Sequence, residues 1–507
     1  MNGTNGTDGL NGLHTKFSSV LETLPCSLPA IKVPIDCDHY AIASSFAGNF
    51  SALKEDHFLQ DALWRDSFAL TGTLRTFYSA SDILPAWLDT SSERKAHGFS
   101  NRPKSTRVVR VLDQSSWVEA MFDFETAADP PALCTIAVSL VPCPDGEWRI
   151  WLLGTILDQL KFQGDVDTLQ PKADREDAVY QTNGHHRTSS AFDCVVVGGG
   201  QAGLAVGGRC QALGLSYVIL DRNRKVGDSW KNRYDSARLH TTRQYSHLPF
   251  DRTFPSHYQE FLTKDDLAQG YLDWVAKFGI NIWCSTSLLS GSWNNESKTW
   301  TLKIDREGET QELTTTNVVL ALGAGCQIPY MPRIPDQHVF KGVLQHSVDY
   351  TSSSAWNGKR GVVIGSANTA HDVADDMLEA GLSSVTMVQR GRTYVMPYEY
   401  YQKILDLGYN DDVPTTTADR ASNWAPIAVS RLLANANLHA MARKEPERFE
   451  ALEKTGFKVE RYGDIVPLLY DRFGGHYMDI GTSAKIAKGL VSFPISKVPR
   501  KRSLSVT

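Results

Sequence analysis

The sequence of 507 residues predicts an α/β protein preceded by an α+β domain. Two stretches, 194–221 and 361–388, share one order of features: an apolar strand, a glycine-rich turn, a helix-compatible segment and a second apolar strand. Such runs of valine, isoleucine and leucine are typical of parallel strands buried on both faces. The region before residue 160 instead combines one helix-like segment with several strand-like segments, which is typical of an α+β domain.

The first glycine-rich turn fits a dinucleotide-binding fingerprint. A strand ending at Val197 leads into Gly198–Gly203, a helix is predicted from Gln201 to Ala212, and the strand Tyr217–Leu220 ends next to Asp221. The glycines permit a tight turn, close approach of a pyrophosphate and close packing of the helix, while the acid can bind ribose hydroxyls. An ordinary strand-to-helix turn is the alternative. We predict a Rossmann-like unit that binds a nucleotide without a ribose phosphate.

The second turn predicts a Rossmann-like unit of different specificity. The strand Gly361–Ile364 precedes G-S-A-N-T-A, a helix is predicted to end near Glu379, and a second strand covers Val385–Val388. Alanine stands at the middle and last glycine positions. The second strand is followed by Q-R-G-R, and arginine suits a ribose 2′-phosphate, so NADP is the predicted ligand. A solvated basic turn at Arg390 and Arg392 is the alternative.

A third pattern lies between the two turns. Phe340–Tyr350 fits F-x-G-x-x-x-H-x-x-x-Y, and in this order with two Rossmann-like units it resembles the signature of class B flavin-dependent monooxygenases. Gly227–Tyr234 is similar to that family's G-x-x-W and R-Y segment. Leu239-His240 with Leu248-Pro249 looks like its indole-pyruvate-monooxygenase-like members. The strand Val318–Gly323 stands where the family crosses between domains, and the resemblance covers about 190–490.

The resemblance implies an FAD- and NADPH-dependent monooxygenase. Such an enzyme would insert one atom of O₂ into a small organic substrate at nitrogen, sulfur or a carbonyl carbon, through a flavin hydroperoxide. The signature residues His346 and Tyr350 would lie near the nicotinamide, without an assigned catalytic role, and a histidine that only fixes a turn is the alternative for His346. No metal is expected. The cofactor-binding residues that the resemblance implies are Gly198, Gly200, Gln201, Ala202, Gly203, Asp221, Trp230, His240, Phe340, Gly342, Gly365, Ser366, Asn368, Thr369 and Arg390.

The C-terminal end departs from the family pattern. The family has a further strand that returns to the FAD domain, whereas Lys497–Arg502 is basic and lacks a strand pattern. A missing strand leaves backbone groups of a parallel sheet unpaired. We therefore expect a truncated member with impaired FAD retention. A shortened but functional variant, in which the tail or a partner substitutes for the strand, is the alternative. For the function itself two alternatives to the monooxygenase stay open: a catalytically impaired nucleotide-binding or interaction protein, and an uncoupled NADPH oxidase that makes hydrogen peroxide.

Composition predicts five segments: an α+β domain at 1–164, a polar linker at 165–191, an FAD domain at 192–330, an NADPH domain at 331–490 and a tail at 491–507. In the first, helical spacing predicts a helix over Phe58–Phe77, followed by strands at Arg107–Leu112, Trp117–Thr126, Cys134–Val141 and Trp148–Leu157. The segments Trp64–Asp66 and Trp148–Leu153 look like the cone-shaped fold of nuclear-transport-factor-2-like proteins. We expect an interaction or substrate-shaping role, including a homodimer through this domain. Polar groups available to an active cone are His57, Asp61, Asp66, His97, Asp123 and Glu125.

Composition also excludes several functions. A net charge of −5 without a basic stripe argues against nucleic acid as a partner, and no run of eighteen apolar residues predicts a membrane span. The N-terminus lacks the features of a signal peptide, and the eight cysteines include no C-x-x-C, so a reduced, cytoplasmic protein is expected. The missing cysteine pair disfavours a disulfide reductase. The pairing of domains suggests a role in secondary metabolism, but the substrate cannot be read from the sequence.

Overall fold

The computed structural model describes residues 19–111, 115–174, 190–323 and 328–494. The described chain contains an N-terminal unit up to residue 174 and two Rossmann-like units, at 190–323 and 328–494, while the finer domain boundaries stay predictions. The elements of the N-terminal unit are α1 Val20–Thr23, α2 His39–Ala47, β1 Phe58–Ser67, β2 Leu74–Tyr78, α3 Ala80–Arg94, β3 Ala96–Asn101, β4 Arg107–Val111, β5 Ser115–Thr126, β6 Ala132–Pro142 and β7 Trp148–Leu160.

The predicted helix over Phe58–Phe77 is wrong. This segment forms β1, which pairs in parallel with β7, and β2, which pairs antiparallel with β1. The alternate residues Ala62, Trp64 and Asp66 are fully buried, so the period of the segment is that of a strand. The later predicted strands are confirmed as β4 to β7 as far as the described residues extend, and the helix of this unit is α3.

One curved sheet with the order β2-β1-β7-β6-β5-β3, with β4 also on β5, wraps around α3. Aromatic rings fill its interior, including Phe50, Trp64, Trp87 and Phe122, all at most 1% exposed. Asp66 is fully buried, and its carboxylate accepts hydrogen bonds from Thr71 and Thr155 and from two backbone N–H groups. The other polar candidates lie outside this core: Asp61, His97 and Asp123 are exposed, and His57 and Glu125 are half-buried. Among the described residues, these six candidate side chains therefore do not converge on one site inside the sheet.

The first Rossmann-like unit has a six-stranded sheet of order β10-β9-β8-β13-β12-β11. The predicted strand, helix and second strand are confirmed, and β13 runs parallel to β8 where the crossover strand is expected. A core of aliphatic and aromatic side chains joins α4 and α6 to this sheet. The elements are β8 Ala191–Val197, α4 Gln201–Ala212, β9 Tyr217–Leu220, α5 Asp228–Lys231, α6 Lys264–Phe278, β10 Ile282–Trp283, β11 Thr286–Asn294, β12 Thr299–Arg306 and β13 Glu309–Leu320.

The second Rossmann-like unit contains two parallel three-stranded sheets, of order β14-β15-β19 and β17-β16-β18. The predicted strands and helix around the second turn are confirmed as β14, α7 and β15. Of the predicted tail at 491–507, Val491–Ser492 forms β19, which pairs with β15 of this unit, and residues 495–507 lie outside the described residues. The elements are β14 Arg360–Ile364, α7 Asn368–Glu379, β15 Ser384–Val388, β16 Thr393–Pro397, α8 Tyr398–Leu405, α9 Thr415–Asn423, α10 Ile427–Lys444, α11 Pro446–Lys454, β17 Val459–Glu460, α12 Ile465–Tyr470, β18 His476–Asp479, α13 Thr482–Ala487 and β19 Val491–Ser492.

The outer face of the N-terminal sheet packs on the second Rossmann-like unit. Trp117 and Trp151 of this face belong to one buried cluster with Trp424 and with Val429 of α10. A homodimer through the N-terminal unit stays a prediction, and any such dimer would have to use another surface, because helices of the same chain cover this face.

A charged junction fixes the start of the predicted linker. The guanidinium of Arg420 lies 3.1 Å from Asp158 and 2.5 Å from Asp167, and Arg209 of α4 lies 3.5 Å from the same Asp167. One carboxylate thus connects both Rossmann-like units, while residues 175–189 of the linker lie outside the described residues. Within the described ranges, no helix combines the length and hydropathy needed to cross a membrane.

Candidate functional site

Two glycines of the first turn are required by the protein backbone itself. Gly198 has a φ of 113°, in the region that favours glycine. A Cβ at Gly203 would lie 1.8 Å from the carbonyl oxygen of Gly198, so a side chain there would push α4 away from β8. Packing alone therefore explains these two positions.

Gly200 differs because nothing in the protein requires glycine there. Its φ is −83°, and a Cβ at this position would meet no atom within 4 Å. Gly200 is also the N-cap of α4, and no side chain caps this helix, whose first residues Gln201 and Ala202 are exposed. The open space before free helical N–H groups fits the close approach of a pyrophosphate.

Asp221 lies directly after β9, below the turn. One carboxylate oxygen accepts a hydrogen bond from the Gly199 N–H at 2.7 Å, and the other accepts one from the Asn223 N–H at 2.7 Å. Each carboxylate oxygen retains a lone pair for a further donor. The buried acid is therefore fixed in place and still able to accept hydrogen bonds from ribose hydroxyls.

The second turn adopts its shape without a glycine in the middle. Gly365 has a φ of 131°, whereas Ala367, the N-cap of α7, has a φ of −93° that suits alanine. The side-chain oxygen of Asn368 accepts a hydrogen bond from the Met478 N–H at 2.8 Å, which holds the start of α7 against β18. As in the first turn, no side chain caps the helix.

A hydroxyl contact fixes this second turn to its surroundings. The Ser366 hydroxyl lies 2.6 Å from that of Thr393 at the start of β16. Burial raises the pKa of Tyr234 in the first Rossmann-like unit, and the nearby Thr369 side chain opposes this rise. The second turn thus lies close to the first unit.

The two arginines after β15 have different environments. Arg392 donates to the Val459 carbonyl at 2.8 Å and lies 4.0 Å from Glu453. Arg390 is exposed and has no hydrogen bond or ion pair with any residue that the structure describes. Arg390 is therefore the free guanidinium at the end of this strand, where a ribose phosphate would be bound.

The signature segment contains one buried residue and several exposed ones. Phe340 is 60% exposed and packs over Gly342, where a Cβ would lie 2.6 Å from its ring. His346 accepts a hydrogen bond from the Val348 N–H at 3.1 Å, so it stabilises a turn, as its alternative interpretation holds. Tyr350 is 4% exposed.

The Tyr350 hydroxyl hydrogen-bonds to the Asp376 carboxylate and lies 2.6 Å from the Ser353 hydroxyl. Burial and the adjacent Asp376 raise the pKa of Tyr350 well above its usual value. This tyrosine thus anchors the signature segment, residues 340–350, to α7. It has no free hydroxyl hydrogen to present to a ligand.

Of the predicted residues, His240 lies at the boundary between the two Rossmann-like units, whereas Trp230 packs against the core of the first unit. Trp230 is half-buried, and the guanidinium of Arg233 lies 4.3 Å from the centre of its ring. The His240 Nε2 atom lies 3.0 Å from the Asp372 carboxylate of α7, which also accepts a hydrogen bond from Tyr234 at 2.7 Å. Asp372 is not among the predicted site residues. Its place one helical turn after Asn368, on the buried face of α7, is the feature of the sequence that could have indicated it.

Three histidine nitrogens at this boundary are buried without a hydrogen-bond partner among the described residues: His240 Nδ1, His371 Nε2 and His476 Nδ1. The His371 ring stacks on Tyr477, with centroids 3.5 Å apart and planes 2° from parallel. Burial lowers the pKa of His371 and of His476 to about 4, so both rings are neutral at pH 7. Unpartnered polar atoms at this depth fit a boundary that receives a polar ligand or ordered water.

A family model described as pyridine nucleotide-disulphide oxidoreductase matches residues 195–404. The probable indole-3-pyruvate monooxygenase YUCCA3 of Arabidopsis thaliana is 29% identical over 215 residues, which are 41% of this chain and 48% of the relative. Indole-3-pyruvate monooxygenase YUCCA4 of Oryza sativa subsp. japonica is 31% identical over 221 residues, which are 40% and 49% of the two chains. Over this part of its length the chain is similar to flavin-dependent monooxygenases.

The chain spans about half the length of the curated proteins that it matches. Among solved structures, cyclohexanone monooxygenase from Rhodococcus sp. Phi1 bound to NADP⁺ is 18% identical, with a TM-score of 0.42, and the match covers 61% of this chain and 65% of that one.

The glycine-rich turns, rather than the cysteines, carry the features that suit a nucleotide cofactor. All seven cysteines in the described part of the chain are free thiols, and no group of three or more potential metal ligands occurs there. Gly200 leaves space in front of a free helix N-terminus, and the boundary between the two units holds unpartnered polar atoms. These features suit the pyrophosphate of a nucleotide.

Proposed function

We propose that this protein is an FAD- and NADPH-dependent monooxygenase of small organic molecules. The observation that carries the proposal is the pair of uncapped helix N-termini, on α4 and α7, that belong to two Rossmann-like units in contact. Gly198, Gly200, Gln201, Ala202, Gly203, Asp221, Trp230 and His240 would hold FAD. Gly365, Ser366, Asn368, Thr369 and Arg390 would hold NADPH. The signature segment between the two sites would be shaped by Phe340, Gly342, His346 and Tyr350.

The cofactors would supply hydride transfer and oxygen activation when bound, since the hard chemistry of such enzymes belongs to the cofactor. The protein would contribute binding and orientation. The dipoles of α4 and α7 and their free N–H groups favour anionic pyrophosphates. Asp221 would accept hydrogen bonds from the ribose of FAD, and Arg390 would offer a cation to the ribose phosphate of NADPH. Asp372 holds side chains of the first unit against the second.

Oxygenation at nitrogen, sulfur or a carbonyl carbon remains the proposed range, because the described residues include no substrate-specific constellation. The packed aromatic core of the N-terminal unit supports a structural or interaction role for it rather than a second catalytic one. A cytoplasmic location and a role in secondary metabolism are part of the same proposal.

The test is an ¹⁸O₂ experiment on the purified protein after loading with FAD. NADPH is added with thioanisole, a tertiary amine or indole-3-pyruvate as the probe, and products are measured by mass spectrometry beside hydrogen peroxide. Oxygenation predicts one ¹⁸O atom per product and less peroxide than NADPH consumed. Peroxide equal to the NADPH consumed, with no labelled product from any probe, would show an oxidase. A protein that takes up no flavin would favour the interaction protein.

A further inference from the structure

The two nucleotide sites are joined by one buried carboxylate. Asp372 lies on α7 one turn after Asn368, where the proposed NADPH site begins, and is 8% exposed. Its two oxygens contact the Tyr234 hydroxyl at 2.7 Å and His240 Nε2 at 3.0 Å. Both partners belong to the first Rossmann-like unit, 138 and 132 residues away along the chain.

The carboxylate also determines which nitrogen of His240 carries a proton. An ionised carboxylate only accepts hydrogen bonds, so the nitrogen that faces it must be protonated. The opposite nitrogen, Nδ1, is buried without a partner among the described residues. In the neutral ring Nδ1 is then an acceptor. The contact of Nε2 with Asp372 fixes the direction in which the lone pair of Nδ1 points.

We propose that Asp372 is a positioning residue that couples the two nucleotide sites. Its carboxylate holds Tyr234 and His240 in place, so that a ligand at the start of α7 changes the affinity of the first site for its own ligand. This inference rests on the proposed function, because it assigns a nucleotide to each site. A coupling of this kind is reciprocal and typically changes affinity by about 5- to 150-fold.

The same helix supplies a matched control. Asp376 lies one turn further along α7, and its carboxylate contacts Tyr350 and the Ser353 N–H, both within the second unit. Asp376→Asn therefore removes an equivalent charge from the same helix without touching the first unit. Asp372→Asn leaves one acceptor and one donor where two acceptors are needed, so it cannot accept hydrogen bonds from both Tyr234 and His240.

The first readout uses cofactor-free protein. Amide hydrogen exchange is measured by mass spectrometry on peptides that cover 234–242. Asp372→Asn should speed exchange there by about fivefold or more, as expected for a lost buried hydrogen bond to a charged group. Asp376→Asn should speed exchange at 350–353 and leave 234–242 unchanged. Unchanged exchange at 234–242 in Asp372→Asn would overturn the positioning role.

The second readout is the ratio of the Kd for NADP⁺ in FAD-loaded and FAD-free protein, measured by calorimetry. The wild type should show a ratio that differs from one by about fivefold or more. The ratio should approach one in Asp372→Asn and stay at the wild-type value in Asp376→Asn. The coupling is contradicted if the wild type shows a ratio of one. It is also contradicted if Asp372→Asn keeps the ratio of the wild type. If the wild type binds neither cofactor, the proposed function and the coupling both fail, and the exchange measurement alone decides the positioning role.

Discussion

The ring of Trp424 lies directly against Gly154, so that a Cβ at residue 154 would come within 2.7 Å of the Cε3 atom of the tryptophan. Gly154 belongs to β7 of the N-terminal unit, and Trp424 directly follows α9 of the second Rossmann-like unit. The tryptophan is 5% exposed. The contact makes the joint between the two units a closely packed one.

Gly154→Ala should destabilise the protein by about 1–3 kcal/mol, because the added methyl group overpacks this joint. Chemical denaturation measures the free energy of unfolding. Gly48→Ala is the control, since a Cβ there meets no atom within 4 Å and its φ is −74°. Trp424→Ala alone should also destabilise the protein, but Gly154→Ala should cost much less on that background. Additive effects would show that the two residues are not in contact.

Gly200→Ala and Gly203→Ala should separate cofactor binding from folding. At Gly200 the new methyl group meets only open space, so the thermal midpoint should stay within a few degrees of the wild type, while the Kd for FAD should rise about tenfold or more. At Gly203 the methyl group would collide with the Gly198 carbonyl, and folded protein should be lost. Thermal unfolding and FAD titration test both variants. Wild-type FAD affinity in Gly200→Ala would contradict a pyrophosphate at this turn.

Arg390→Gln should weaken binding of NADP⁺ by about tenfold or more without weakening that of NAD⁺, because only NADP⁺ carries the phosphate that the free guanidinium would bind. Arg392→Gln is the matched control, since Arg392 is engaged with the Val459 carbonyl. Arg392→Gln should lower the free energy of unfolding, while the ratio of the Kd values for NADP⁺ and NAD⁺ should stay near that of the wild type. The Kd values for both nucleotides, measured with each variant, decide between a phosphate site and a solvated basic turn.

Stability should fall as the pH is lowered from about 6.5 to 4. Burial lowers the pKa of His371 and of His476 to about 4, so in this range the unfolded chain binds protons that the folded protein does not. Each histidine should therefore cost about 2 kcal/mol between pH 7 and pH 5. His371→Phe keeps an aromatic ring against Tyr477 and should make the pH dependence shallower. An unchanged slope in the free energy of unfolding against pH would exclude a buried neutral His371.

The strand-turn-helix units were predictable because each depends on local signals. Continuous apolar runs marked β8, β9, β14 and β15, and the glycines between them marked the turns. The apolar residues of Phe58–Phe77 come in short runs that fit a helical period as well as a strand period. Only the pairing of β1 with the distant β7 decides between the two, so the helix predicted there is wrong. The helical spacing could place Asp372 on a buried face of α7, but it could not identify its partners, because these lie more than 130 residues away along the chain.

The glycine pattern predicted where a nucleotide would lie, but it could not distinguish the role of each glycine. That distinction needs the positions of neighbouring atoms, which show that Gly198 and Gly203 are required by the backbone while Gly200 is not. In the same way, Arg390 and Arg392 are equivalent in sequence. Only the contact of Arg392 with Val459 shows which of the two remains free.

The strand β14 has one unpaired edge, since among the described strands it pairs with β15 alone. Val362 and Ile364 on this strand are 60% and 62% exposed, although branched aliphatic side chains are usually buried in a parallel sheet. An edge of this kind can recruit a strand from another molecule. Concentrated preparations of the protein should therefore self-associate at this edge, and a single lysine at residue 362 is the simplest way to keep the protein in solution.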